Sequence, residues 1–510
     1  MLVKGILLVL FFISMVVVGF YARKHTSTVE GFVLGGKSAG PWLTAFAYGT
    51  SYFSAVVFVG YAGQFGWKYG IASTWIGIGN AMIGSLLAWV VLGRRTRVMT
   101  HHLQAKTMPE FFGKRYECKA MKLAASLIVF IFLIPYTASI YNGLSRLFGM
   151  AFDIPYVACV IAMACFTALY VILGGYMATA INDFIQGIIM LVGIVAVIAA
   201  VLNGQGGFTE ALSKLSQIPN ESLTSVGLQG AYISFFGPEP LSLLGVIILT
   251  SLGTWGLPQM IGKFYAIKDE KSINTGTVIS TLFAVVVSGG CYFLGGFGRL
   301  FDSEAVRNAD TGEVIYDAVV PTMLSTLSDV LIGIVIVLVL SASMSTLSSL
   351  VLTSSSTLTL DLLKDNVFKK MNEKQQVFMM RIFIMIFIVI SVVIALNPNT
   401  FIAQLMGISW GALAGAFLAP LLYGLYWKGT TKVAVWISFI TGVGITVSNM
   451  VFHFIASPIN AGAIAMIVGL ILVPIVSIFT RNTKPKQVDD IFSCLEETVT
   501  ISKKHSLEVK

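Results

Sequence analysis

An all-α, polytopic membrane fold is what this sequence predicts, and three observations carry the prediction. Fifty-six per cent of the 510 residues are apolar and only 11% are Asp, Glu, Lys or Arg. A soluble domain carries about a quarter charged residues, so these charges are too few to cover a water-soluble body of this size. The apolar residues also gather into runs of about 20, the length of helix that crosses a bilayer core. Finally, the charges fall between the runs rather than on a patch. The net charge of +9 therefore reads as membrane topology and not as phosphate recognition, and no nucleic-acid partner is expected.

Thirteen stretches qualify: 2–22, 41–66, 71–92, 123–151, 155–175, 177–203, 241–266, 273–300, 320–362, 377–396, 399–427, 433–455 and 459–480. They are called span 0 to span 12. The first is read as a retained span, because Arg23, Lys24 and His25 follow it without a small-x-small cleavage site. Stretch 320–362 is too long for one crossing, so its beginning is expected to form an outer turn. The five cysteines (Cys118, Cys159, Cys165, Cys291, Cys494) lack metal-like spacing and read as packing residues.

The connections alternate in charge. One side holds Arg94, Arg95, Arg97, Lys106, Lys114, Arg115, Lys119, Lys122, Lys263, Lys268, Lys271, Lys364, Lys369, Lys370, Lys428 and Lys432, with Lys24, Arg481, Lys484 and Lys486 at the ends. The other side holds Lys68, Lys214 and Arg307 among Glu210, Glu221, Glu239, Asp302, Glu304 and Asp310. The positive-inside rule then places the N-terminus outside and the C-terminus in the cytoplasm of a plasma (inner) membrane protein. Span 1 and span 6 run in opposite directions. Spans 1–5 (41–203) and 6–10 (241–427) can therefore form a 5+5 inverted repeat, with an extra N-terminal helix, two further C-terminal helices and a tail, 481–510.

Such architectures place their site where one span in each half is interrupted. Span 1 has Gly49, Thr50, Ser51 and Ser54 at mid-depth; span 6 has Thr250, Ser251, Gly253, Thr254, Gly256 and Pro258. Proline removes a helical donor and frees nearby carbonyls. The alternative is that these residues only kink packed helices. Of the 24 acids, Asp183 alone reads as lying well inside an apolar stretch. A carboxylate there is expensive and points to function, the alternative being a snorkelled or lysine-paired acid near the membrane edge. In span 8, Ser341, Ser345, Ser348 and Ser349 share a helix face beside Thr346. Neutral hydroxyl and carbonyl oxygens suit a hard cation, but the same pattern serves small-residue helix packing.

At these residues the chain resembles the sodium:solute symporter family, which includes bacterial proline and pantothenate symporters and sodium–sugar transporters. The resemblance covers about residues 2–480 and rests on LYVILGGYMATAINDFIQ (169–186), TWGLPQMIGKFYAIKD (254–269), SASMSTLSSLVLTSSSTLTLDLL (341–363), APLLYGLYWKGTTKVA (419–434) and TMPEFFGKRY (107–116). It implies the leucine-transporter fold and a common sodium site at Thr50, Phe53, Ala342, Ser345 and Thr346. It also implies a second site, found in some members, at Asp183, Ser345, Ser348 and Ser349. The solute would lie between spans 1, 3, 6 and 10, against Tyr52, Ser54, Tyr136, Ser251, Thr254, Trp255 and Gln404. Tyr52 departs from the proline symporters, which carry an aspartate there. No buried Arg or Lys is evident, so an anionic group would rely on helix ends and hydroxyls.

The expected activity is sodium-coupled symport of a small, carboxylate-bearing solute: an amino acid, a pantothenate-like compound or a monocarboxylate. One inward charge gains about 2.3 kcal/mol per 100 mV, enough for roughly 50-fold accumulation of a neutral solute. Sugar symport, a transporter-like sensor and a passive channel are the alternatives. A membrane enzyme is disfavoured, since no span pairs a His with an Asp or two carboxylates, and Asp183 has no evident partner base. No obligate protein partner is evident, and the partners expected are the solute and the bilayer.

Overall fold

The computed structural model describes residues 2–23, 26–152, 154–220, 229–364, 367–396, 402–480 and 487–495. Lys24, His25, Glu221, Arg481, Lys484 and Lys486, used above for topology, lie outside the described residues, as does most of the tail. The described chain is helical, with only two isolated β-bridges. Ten of its helices are long and apolar enough to cross a membrane, or eleven if the bent pair Pro240–Gly256 and Pro258–Ala266 counts as one span.

Two of the ten are 47 and 49 residues long, Val56–His102 and Tyr156–Gly204. A straight helix of that length would measure about 70 Å, over twice the bilayer core. Each is broken by a glycine in a backbone conformation that L side chains resist. Gly70 has φ 60° and ψ −141°, and Gly175 has φ 54° and ψ −151°. The first break falls at the boundary of spans 1 and 2 and the second at the boundary of spans 4 and 5 as read from sequence. Stretch 320–362 resolves into a short helix, Tyr316–Ser325, and a long one beginning at Asp329.

Burial sorts centre from periphery. The apolar window of span 8 is 78% buried and that of span 10 is 83% buried, against 22% for span 0 and 33% for spans 9 and 11. The outer helices leave Leu10, Val192, Val393 and Ile440 exposed, as lipid-facing surface should be. Small residues set the closest approaches. A Cβ at Gly66 would lie 1.9 Å from the Gly295 carbonyl oxygen, and one at Gly77 would lie 2.7 Å from Gly289 Cα. Span 7 therefore touches spans 1 and 2 backbone to backbone.

On the basic face, arginines cap helix C-termini. Arg115, 3% exposed, donates to the Gly424 carbonyl at 3.0 Å, and Arg97 donates to the Ile267 carbonyl at 2.7 Å. The helix at 487–495 buries Ile491, Phe492 and Cys494, with Phe492 against the Arg115 guanidinium (5.1 Å).

Candidate functional site

Both expected interruptions are present. Helix Pro41–Tyr52 ends at Phe53, which is extended (φ −112°, ψ 110°), and the chain resumes as a wide turn, Val56–Tyr61. Helix Pro240–Leu252 passes through a tight turn, Gly253–Gly256, and extended Leu257, then restarts at Pro258 with a 45° bend. Proline opens each of these helices, where its missing N–H is no loss.

The break in span 1 redirects two backbone donors. In a continuous helix Val57 N–H would bond to Phe53 and Ala55 N–H to Ser51. Instead Val57 donates to the Ser54 carbonyl (3.0 Å) and Ala55 to the Ser343 hydroxyl (3.0 Å). The Phe53 and Ser51 carbonyls are thus released at the helix end. Span 8 brings its hydroxyls to the same place. Thr346 Oγ1 lies 3.4 Å from the Thr50 and Ser51 carbonyl oxygens and 3.1 Å from that of Ala342. Ser345 Oγ donates to Thr50 Oγ1 at 2.8 Å. All of these residues are buried. Thr50, Ala342, Ser345 and Thr346 therefore meet, and Ser51 joins them unforeseen.

Span 5 approaches from the side. A Cβ at Gly187 would meet Phe46 at 2.2 Å and Thr50 at 3.2 Å, so glycine permits the contact. One turn earlier on the same face stands Asp183, fully buried, with no hydrogen-bond donor of acceptable geometry at either carboxylate oxygen among the described residues. Its neighbour is a cation: Lys263 Nζ lies 3.7 Å away. This corrects two readings from sequence. Asp183 does have a charged partner, and the site does hold a buried lysine. Lys263 is 3% exposed and belongs to the second half of broken span 6, not to a loop. It also donates to Ser349 Oγ (2.9 Å), which shares a hydrogen bond with Ser51 Oγ (2.9 Å). Ser348 donates to the Ser345 carbonyl at 2.8 Å.

Asp183 is not the sole buried acid either. Asp361 accepts from Thr107 Oγ1 at 2.6 Å and pairs with Lys122 at 3.1 Å. Asp317 accepts from Ile402 N–H at 3.3 Å and lies 3.8 Å from Arg146. Asp317, in the short helix before span 8, has its carboxyl pushed up to about 6 by burial, against the opposing effect of Arg146.

The expected solute residues divide. Tyr52 donates to the Thr250 carbonyl and so ties the two breaks together. Thr254 bonds to the Gly84 carbonyl (3.2 Å), Ser251 to Asn80 (3.1 Å) and Trp255 to the Ile83 carbonyl (3.0 Å), fixing span 6 on span 2. Ser54 and Tyr136 are buried beside one another. Gln404 is exposed near the start of span 10, and the structure does not bring it to the cluster. Trp410, six residues later, takes that place. It stacks on Tyr52 at 6.0 Å, meets Tyr136 edge-on at 5.8 Å and covers Gly253. Trp410 Nε1 and the Tyr136 hydroxyl have no hydrogen-bond partner of acceptable geometry among the described residues. A cavity of about 50 Å³ lies between Lys263 and the basic face, lined by Tyr176, Gln259, Ser349, Thr353 and Lys106.

Residues 32–442 match the profile described as "SSF: Sodium:solute symporter family". The chain belongs to the sodium:solute symporter family. It is 28% identical over 482 residues to the osmoregulated proline transporter OpuE of Bacillus subtilis (strain 168), covering 91% of this chain and 93% of that one. It is 30% identical to the sodium/proline symporter of Staphylococcus aureus (strain JH9), over 84% and 82% of the two chains. Its fold is similar to that of a substrate-bound, outward-open Na+-coupled sialic acid symporter (TM-score 0.76, 14% identity, 94% and 97% of the chains covered). A transporter of the nucleobase-cation-symport-1 family in a closed conformation is a more distant likeness (TM-score 0.53, 12% identity, 90% and 98% covered). This symporter therefore moves a small solute with sodium as the coupling ion, and its leucine-transporter-type fold agrees with the broken spans.

Proposed function

We propose that this symporter takes up a proline-sized amino acid or short carboxylate, across the plasma membrane, by alternating access of the two repeats, 41–203 and 241–427. The N-terminus is then outside and the basic face cytoplasmic, in keeping with the alternation of charge. The observation that carries the reading is the release of backbone carbonyls in span 1 against the hydroxyls of span 8. Thr50, Phe53, Ala342, Ser345 and Thr346, with the Ser51 carbonyl, offer a sodium ion neutral oxygens from two elements at once. A cation there stitches span 1 to span 8, and that movable contact is what lets ion binding bias the position of one repeat against the other.

The solute reading rests on Tyr52, Tyr136 and Trp410. Their faces suit a small ring or an amine by cation–π contact. The neighbouring donors of Tyr136, Trp410 and Ser54 suit a carboxylate. Tyr52 stands where the proline symporters have an aspartate, so an amine would be held by aromatic faces and not by a carboxylate. Transport of this kind asks for no bond chemistry, and we propose none. The test is uptake by proteoliposomes of radiolabelled proline, other amino acids, pantothenate, short carboxylates and sugars under an imposed sodium gradient. Accumulation that collapses when choline replaces sodium is expected for at least one small carboxylate. Uptake indifferent to sodium, or confined to sugars, would sink the reading.

A further inference from the structure

We infer that Lys263 supplies, from the chain itself, the second cation of the Asp183–serine cluster, so that this symporter carries one sodium ion per cycle. The inference builds on the sodium reading above and goes beyond it, because it fixes the ion count and assigns it to one residue. Lys263 Nζ lies 3.7 Å from the Asp183 carboxylate and 2.9 Å from Ser349 Oγ. Those two residues are half of the set that a second sodium would use; Ser345 and Ser348 complete it. An ammonium carries the same single charge as sodium, on a flexible stem with three donors and no acceptor. It therefore addresses the same oxygens.

The local fold delivers it there. Pro258 starts a new helix after the break in span 6, and Pro258, Gln259, Gly262 and Lys263 all border one cavity. The ammonium lies 5.4 Å from the Tyr176 ring, a face that favours a cation. Both Lys263 and Asp183 are buried, and their charges sum to zero. A sodium ion added at this place would leave a net positive charge in a low-dielectric interior, beside an ammonium that has already taken Ser349. The serine chain also explains why the tether matters to the first site. Ser349 is shared between Lys263 and Ser51, and the Ser51 carbonyl faces Thr346. The lysine thus supports the oxygens that the transported sodium would use.

Binding of ²²Na+ to the purified full-length chain in detergent, at saturation, tests this without knowing the solute. The wild type should bind about one ion per chain. Lys263→Met and Lys263→Gln should bind about two, Lys263→Arg about one. Asp183→Asn added to Lys263→Gln should return the count to about one. Two ions on the wild type would overturn the inference, even if no lysine variant folds. So would Lys263→Met and Lys263→Gln both remaining at one ion while unfolding near the wild-type temperature. No sodium on the wild type would overturn the sodium reading itself, and that result is distinct from the other two.

Discussion

Asp183 and Asp361 are both buried and both face a lysine, the first against span 8 and the second within it, yet they are held differently. Asp361 is held at both oxygens, one by a hydrogen bond and one by a close ion pair. Thr107 donates to one oxygen at 2.6 Å, and Lys122 pairs with the other at 3.1 Å. Thr107 in turn caps the helix Met108–Arg115 by accepting from Glu110 N–H at 3.1 Å. Asp183 has its lysine only at 3.7 Å and, among the described residues, no hydrogen bond of acceptable geometry at either oxygen, though Ser345 stands close by. Twelve residues of span 8, about 18 Å of helix, separate Ser349 from Asp361. The difference separates a latch from a ligand. A carboxylate with one oxygen hydrogen-bonded and the other closely ion-paired fastens one element to another. One held only by a more distant lysine leaves its oxygens to that cation.

Four substitutions break or sharpen that contrast. The largest effect belongs to Asp183→Asn, which should lower sodium-driven uptake on the order of 1,000-fold, about 4 kcal/mol, and, because it leaves the buried Lys263 ammonium without its counter-charge, should also destabilise the chain by about 3 kcal/mol. Asp361→Asn should destabilise by a similar amount, about 3 kcal/mol, while its residual uptake keeps its sodium dependence. Paired unfolding and uptake measurements decide between them, and equal loss of sodium dependence in both variants would erase the distinction. Next comes Thr107→Val, which removes one charge-assisted hydrogen bond from the latch and should cost about 1.5 kcal/mol in unfolding. No shift there would mean that Lys122 alone holds Asp361. Smallest is a pH effect at the third buried acid, Asp317. Burial pushes its carboxyl up to about 6, so the folded chain keeps this proton to higher pH than the unfolded chain does. Stability should fall as pH rises from about 4 to about 6, with a slope of at most about 1.4 kcal/mol per pH unit. Asp317→Asn should flatten that slope in unfolding measurements across the same window.

Much of the fold was legible because bilayer thickness imposes a length on every crossing, and the two interruptions were legible because glycine and hydroxyl residues cluster at mid-depth in both, joined in span 6 by Pro258. The serines and threonine of span 8 could be placed on one face by helical spacing alone. Lys263 was not legible in the same way. It lies within stretch 241–266, but a lysine three residues from the end of an apolar run looks like a snorkelling terminus. Only the restart of the helix at Pro258 turns it inward. That restart was the available signal, since it puts Lys263 a turn and a half into a new helix. Gln404 and Trp410 show the other limit. Both lie in span 10, and without the packing of Gly253 nothing in the sequence says which of two polar-tipped residues two turns apart faces the break.

The bare contacts of span 7 with spans 1 and 2 have a mechanical consequence. Where Gly66 meets Gly295 and Gly77 meets Gly289, only hydrogen atoms separate the two main chains. A joint of that kind is keyed to one register. A shift of a single residue would bring the Cβ of Phe65, Trp67, Ile76 or Ile78 to a place where not even a methyl group has room, so at these points the helices can only be carried along together, as one piece.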